Sequence, residues 1–216
     1  MSDYHYSGCD RNQPCSREEF LHRYAMGQRY FRHLDLRSAN FREADLKGVQ
    51  LIECNLEAVD LTFANLRAAE LICCHLVNAQ LSNSNLIAAN LIGASGQGGT
   101  FHQAKLIGAS LIGADLHDAD FADAHLAGAN FSGADLSYAN FEGAALEAAL
   151  FVGATLVGTH LSGCFLNQAN LCHANCRRAE FIESSLQAGN LWRADLRDAK
   201  LFGIDLKGAN LTGVKF

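Results

Sequence analysis

Every fifth residue from Phe31 to Phe216 is Leu or Phe, apart from Gly96 and Cys176, and the count never slips. A period held that far marks a repeat architecture, which has to be read ahead of local propensity. Five fits no helix, because amphipathic helices space apolar residues three and four apart and coiled coils use heptads. A second ordered position lies two residues before each Leu/Phe, and Ala fills 24 of the 37 such slots from Leu34 to Val214. Positions two apart face the same side of an extended segment. Each pentad therefore reads as a very short strand with one small and one large residue turned inward.

The other three residues turn the corner and face water. The residue before the Leu/Phe is Asn or Asp in 19 of 37 pentads, and 14 of the 19 glycines fall two residues after it. Such residues tolerate tight-turn dihedrals, so a turn recurs every five residues. One pentad cannot bury its own apolar side, whereas stacked coils can. Residues 29–216 read as one continuous domain, preceded by a separate lead-in over residues 1–28.

The motif, as in Ala129-Asn130-Phe131-Ser132-Gly133 and Ala134-Asp135-Leu136, resembles the pentapeptide-repeat family over about residues 29–216. The resemblance implies an all-β solenoid, a right-handed quadrilateral β-helix with four pentads, twenty residues, per coil. Handedness and the four-sided section come from the resemblance alone. Residues twenty apart then stack, and the repeats build a rod ~45 Å long at ~4.8 Å per layer. One side carries Leu at every centre from Leu46 to Leu206, on both flanks of Gly96. Gly96 therefore takes a central position and leaves it empty. The coil from Gly93 to Gly99 is the weakest, open to local fraying or a kink.

Residues 1–15 show no periodicity. Ser16-Arg17-Glu18-Glu19 fits a capping box, so a helix is expected from about Arg17 to Met26, ended by Gly27, as a cap over the first coil. The stretch Phe20 to Phe31 is similar to the lead-in of many cyanobacterial members of that family. Met1-Ser2-Asp3-Tyr4 lacks the basic and apolar pattern of a secretory signal. At the other end the pattern is still in phase at Phe216. The final coil is expected to offer open backbone groups and Phe216, either to a second copy in an end-to-end homodimer or to solvent as a frayed end of a monomer.

No apolar run approaches membrane-spanning length, because a polar corner interrupts every few residues. Eight cysteines might suggest disulfides, but Cys54, Cys74 and Cys164 occupy the small inward slot and Cys176 the large one, where a thiol serves as apolar filler. A reducing cytoplasm is the simpler home. The net charge of −6 is unevenly spread. Residues 106–176 hold no Lys or Arg and seven acids: Asp115, Asp118, Asp120, Asp123, Asp135, Glu142 and Glu147.

Three surface features carry function hypotheses. The residue after each centre reads Ile52, Ile72, Ile92 and Ile112 on one side, with Ile87 and Ile107 on the adjoining side and Trp192 at the ladder's far end. Exposed apolar ladders mark contact sites, although β-branched residues also simply suit an extended surface. The acidic belt reads first as a solvated face. Some pentapeptide-repeat proteins protect DNA gyrase by imitating duplex DNA, but the likeness here reaches only the repeat, and seven acids are sparse beside a duplex. Arg29, Arg32, Arg37, Arg42 and Lys47 make a basic start to the rod with little aromatic interleaving.

Metal and catalytic sites are not expected. Cys74 and Cys176 point inward while Cys73, His75, Cys172 and His173 point outward, so neither cluster can share a zinc. The histidines are scattered and no phosphate loop opens a helix. The reading is a non-enzymatic scaffold, without cofactor, whose side walls bind another macromolecule, a protein in the first place. The alternatives are a DNA-mimicking gyrase-interacting protein and a thiol- or metal-responsive one.

Overall fold

Each pentad has five backbone amides to satisfy, and the way it does so explains its sequence. The computed structural model describes residues 14–216; Cys9 and most of the aperiodic start lie outside them. In the pentad around Leu61, the Leu61 and Phe63 amides donate to the Gln80 and Ser82 carbonyls of the next coil at 2.7 and 3.1 Å. The Asp60 amide donates back to Ala39 of the previous coil at 3.0 Å, and Ala64 closes a turn onto Leu61 at 3.0 Å. The Thr62 amide alone has no main-chain acceptor, and Asp60 Oδ1 takes it at 2.9 Å.

That last bond recurs at every one of the 19 Asn/Asp positions of this phase, for example Asn40 to Arg42, Asn130 to Ser132 and Asn210 to Thr212. This corrects the expectation that these residues are chosen for turn dihedrals. They are chosen as acceptors, in Asx turns that satisfy an otherwise orphaned donor. The left-handed conformation falls instead on the second residue after each centre. All 37 such positions from His33 to Gly213 have positive φ, 14 of them glycine. None of the 23 others is Val, Ile or Thr, the residues for which that conformation is most strained.

The chain is an all-β solenoid, a right-handed β-helix with four walls and a short N-terminal helix. Parallel pairing links residues twenty apart from Asp35↔Asn55 to Asp195↔Lys215. Wall 1 is centred on Phe31, Leu51 and onward, wall 2 on Leu36, wall 3 on Phe41 and wall 4 on Leu46. Only wall 1 of the first coils lengthens into strands, β1 (Tyr30–Arg32), β2 (Gln50–Ile52) and β3 (Glu70–Ile72), in parallel register Tyr30↔Gln50↔Glu70. Inside, the small and large slots form one unbroken core. On wall 3 the rings of Phe101, Phe121 and Phe141 stack 4.5 and 4.8 Å apart.

Helix α1 (Arg17–Ala25) closes the first coil, and Ser16 caps it by accepting the Glu19 amide at 3.1 Å. It ends at Ala25 with Met26 as its C-cap, and Gly27 follows with φ 96°. Phe20 plugs the open core against Phe31 and Phe41, at 4.7 and 5.1 Å between ring centres. The lead-in also covers the exposed carbonyls of three walls. The Cys15 amide donates to Asp35 O at 2.9 Å, Arg17 Nε to Asn40 O at 2.6 Å, and Tyr24 Oη–H to Lys47 O at 2.8 Å.

The glycine-rich coil is not a break. His75↔Ser95↔Asp115 and Gln80↔Thr100↔Asp120 pair on schedule through it. Nor is the Gly96 position empty, because Leu116 leans in until its Cδ2 stands 3.0 Å from where a Cβ would be. At Gly99 the Phe101 ring comes within 3.3 Å of that point. Gly96→Leu, which restores the repeat on paper, is therefore expected to destabilise the rod by ~1–3 kcal/mol through overpacking, measured by chemical denaturation.

Candidate functional site

Wall 1 and its wall 4 corner carry a stacked column of isoleucines. The strand register places Ile52 beside Ile72, and the pairing of Glu70, Asn90 and Ser110 carries the column on to Ile92 and Ile112. Ile92 and Ile112 are each 38% exposed and Ile107, round the corner on wall 4, is 44% exposed; Ile52, Ile72 and Ile87 are half-buried. Segments 86–94, 106–114 and 126–134, which make this surface, contain no charged residue.

The corners beside the upper end of the column are bare. A Cβ built at Gly108 or Gly128 on one edge, or at Gly113, Gly133 or Gly153 on the other, would meet nothing within 4 Å. Glu53 and Cys73 stand at the wall 2 corner beside Ile52 and Ile72, so the unobstructed approach is at Ile112, between Gly108 and Gly113. The glycines were legible as turn residues, but their concentration on the two edges of wall 1 emerges only once the walls are assembled.

The column does not run unbroken to Trp192. Ser132 interrupts it, and Val152 and Cys172 precede the tryptophan. Trp192 is itself half-buried, with the His173 ring edge-on at 4.8 Å and the Arg193 guanidinium 4.5 Å from its ring centre. Exposed aromatic residues on other walls, Phe63, Tyr138, Phe165 and Phe202, were missed. Asking which outward phases carry an aromatic side chain finds all four. Phe202 is 76% exposed on wall 3, and Phe216 is 68% exposed in the last coil.

The acidic belt divides by role. Asp115, Asp120 and Asp135 accept turn amides at 3.4, 3.1 and 3.0 Å, so they belong to the backbone scheme. Asp118 and Asp123 stand at left-handed corners and Glu142 and Glu147 point outward. On wall 3 a shallow groove of ≈ 500 Å³ is bordered by Asp123, Glu142 and Glu183 over Gly143 and Gly163. Among the described residues no group of three or more His, Cys, Asp or Glu is placed to hold a metal, and no helix is long and apolar enough to cross a membrane.

Asp115 and His117 stand on wall 2 just past the wall 1 edge, with Nδ1 2.7 Å from Oδ1. Burial raises the Asp115 carboxyl, but hydrogen bonds from His117 and Gln97 outweigh it and leave the group below its ordinary value. The same hydrogen bond lifts the His117 imidazole above 6.5. Nearer the end, the Arg197 guanidinium holds the Asp195 carboxyl at about 2. The His117 contribution to stability is thus fully present below its unfolded value and fades as pH rises through the lifted one. An NMR titration is expected to show His117 with the raised midpoint, returning toward 6.5 in Asp115→Asn.

A family model described as pentapeptide repeats matches the chain in eight copies between residues 30 and 216. The chain belongs to the pentapeptide-repeat family. Among solved structures of pentapeptide-repeat proteins it is similar to HetL, involved in heterocyst differentiation regulation in the cyanobacterium Nostoc sp. strain PCC 7120, at 30% identity and TM-score 0.61 over 93% of this chain and 94% of that one. QnrB1, a plasmid-mediated fluoroquinolone resistance protein, shares the fold at 21% identity and TM-score 0.57, over 83% of this chain and 90% of that one. No curated protein matches the chain.

Proposed function

We propose that this pentapeptide-repeat protein is a non-enzymatic scaffold in the cytoplasm that binds a protein partner through wall 1. The carrying observation is the isoleucine surface of segments 86–94 and 106–114, which hold no charged residue, with bare corners at Gly108 and Gly113. An exposed apolar patch gains by being covered, and a wall bonded through every layer meets a partner with little ordering left to do. Ile92, Ile107 and Ile112 form the centre of the contact, with Ile52, Ile72 and Ile87 on its near side and Trp192 as a separate far anchor. The gyrase-directed reading has less behind it, since three of the seven belt acids are engaged in turns.

The test is a pull-down from native lysate with the wild type and with Ile92→Glu/Ile112→Glu. A specific partner is expected to be held by the wild type and weakened more than tenfold, ~1.4 kcal/mol, in the double variant with its thermal unfolding unchanged. Equal loss in a wall 3 control, Thr62→Glu, would move the contact off wall 1.

A further inference from the structure

Two cysteines unused by wall 1 carry a chemistry of their own. Cys54 and Cys74 fill the small inward slot at the wall 1 to wall 2 corner in consecutive coils, both without exposed surface. The His75 amide donates to the Cys54 carbonyl at 3.0 Å. That bond holds the two backbones one parallel layer apart, ~4.8 Å, inside the ~4.4–6.8 Å span of disulfide Cα atoms. The Cys74 thiol also donates to Leu51 O at 3.2 Å and the Cys54 thiol to Ile52 O at 3.5 Å, so both sulfurs stay on the inner side of one corner.

Chemistry agrees with the placement. The nearness of the two thiols draws Cys54 below the ordinary thiol range, while the same nearness and burial push Cys74 far above it. Two adjacent sulfurs at one corner are placed as an attacking and a resolving pair. The other inward thiols lack this geometry. Cys164 stacks between Ala144 and Ser184, and Cys176 between Leu156 and Leu196; burial pushes both thiols up to about 12.

We propose that Cys54 and Cys74 are a redox-modifiable dithiol that closes to a reversible disulfide, stapling the second and third coils beneath Ile52 and Ile72. The oxidant is a small hydroperoxide admitted by local opening of the corner. The Cys54 thiolate attacks one peroxide oxygen, the O–O bond breaks, and the departing oxygen leaves as water or an alcohol after taking a proton. Cys54 is then a sulfenic acid. Cys74 sulfur attacks the Cys54 sulfur, the S–O bond breaks, and hydroxide leaves with the Cys74 proton as water. Two electrons pass from the thiols to the peroxide. Parallel stacking leaves the Cβ atoms about one layer apart, wider than the ~3.5–4.5 Å a relaxed disulfide takes, so the coils close slightly. A bond strained in this way is easily reduced.

The experiment treats the full chain with hydrogen peroxide, blocks remaining thiols, and maps tryptic peptides. Cleavage at Lys47, Arg67 and Lys105 puts Cys54 on one peptide and Cys73 with Cys74 on the next. The expected result is a linked pair of these peptides that dithiothreitol separates, persists in Cys73→Ser, and is lost in Cys54→Ala and Cys74→Ala. Alanine is the commonest occupant of this slot, so both alanine variants keep the core. Loss of the link in Cys73→Ser, or no link under peroxide that fully oxidises exposed Cys73, overturns the proposal.

Discussion

Main-chain hydrogen bonding sets the period of this molecule. A buried or half-buried amide left without an acceptor costs as much as a good packing contact returns. Four of the five amides in a pentad find carbonyls in the coils above and below or in their own turn. The fifth finds a side-chain acceptor in the 19 of 37 pentads that carry Asn or Asp before the centre. Asn or Asp can accept it only when it stands two residues earlier, which locks its phase to the inward Leu or Phe. Backbone and core thus demand the same count of five.

The fold was legible because that count is written twice, once in the inward pair and once in the corner. What misled was the reason for the Asn/Asp phase. Composition cannot separate a residue that adopts a turn from one that caps it; Asp60 and Phe63 sit three apart in one pentad, and only coordinates show that Phe63 carries the left-handed φ of 61°. Gly96 misled similarly. A missing side chain reads as a void in a one-dimensional pattern, whereas in three dimensions Leu116 from the next coil takes the space.

The surface was half legible. Stacking by twenties assembled the isoleucine column from the sequence, because outward residues after each centre keep one wall. The bare glycine edges required knowing which walls share a corner, and the partial burial of Trp192 required knowing that His173, nineteen residues earlier, lies against it. Function in such a rod is a property of wall composition. The same backbone offers a wall 1 whose middle coils carry no charge, a carboxylate-lined groove on wall 3 and a mixed wall 2, and none of these differences perturbs the core behind them.

The twenty-residue layer has a further consequence for how such a chain can change in length. Adding one residue turns core positions outward in everything that follows. Adding a whole pentad keeps the core but rotates each later layer by a quarter turn, which carries Val152 and Trp192 onto a different face from Ile112. Only growth or loss in units of a full circuit leaves the surface map intact. Lineages that keep a partner on one face are thereby confined to a quantised set of lengths, each one layer taller than the last.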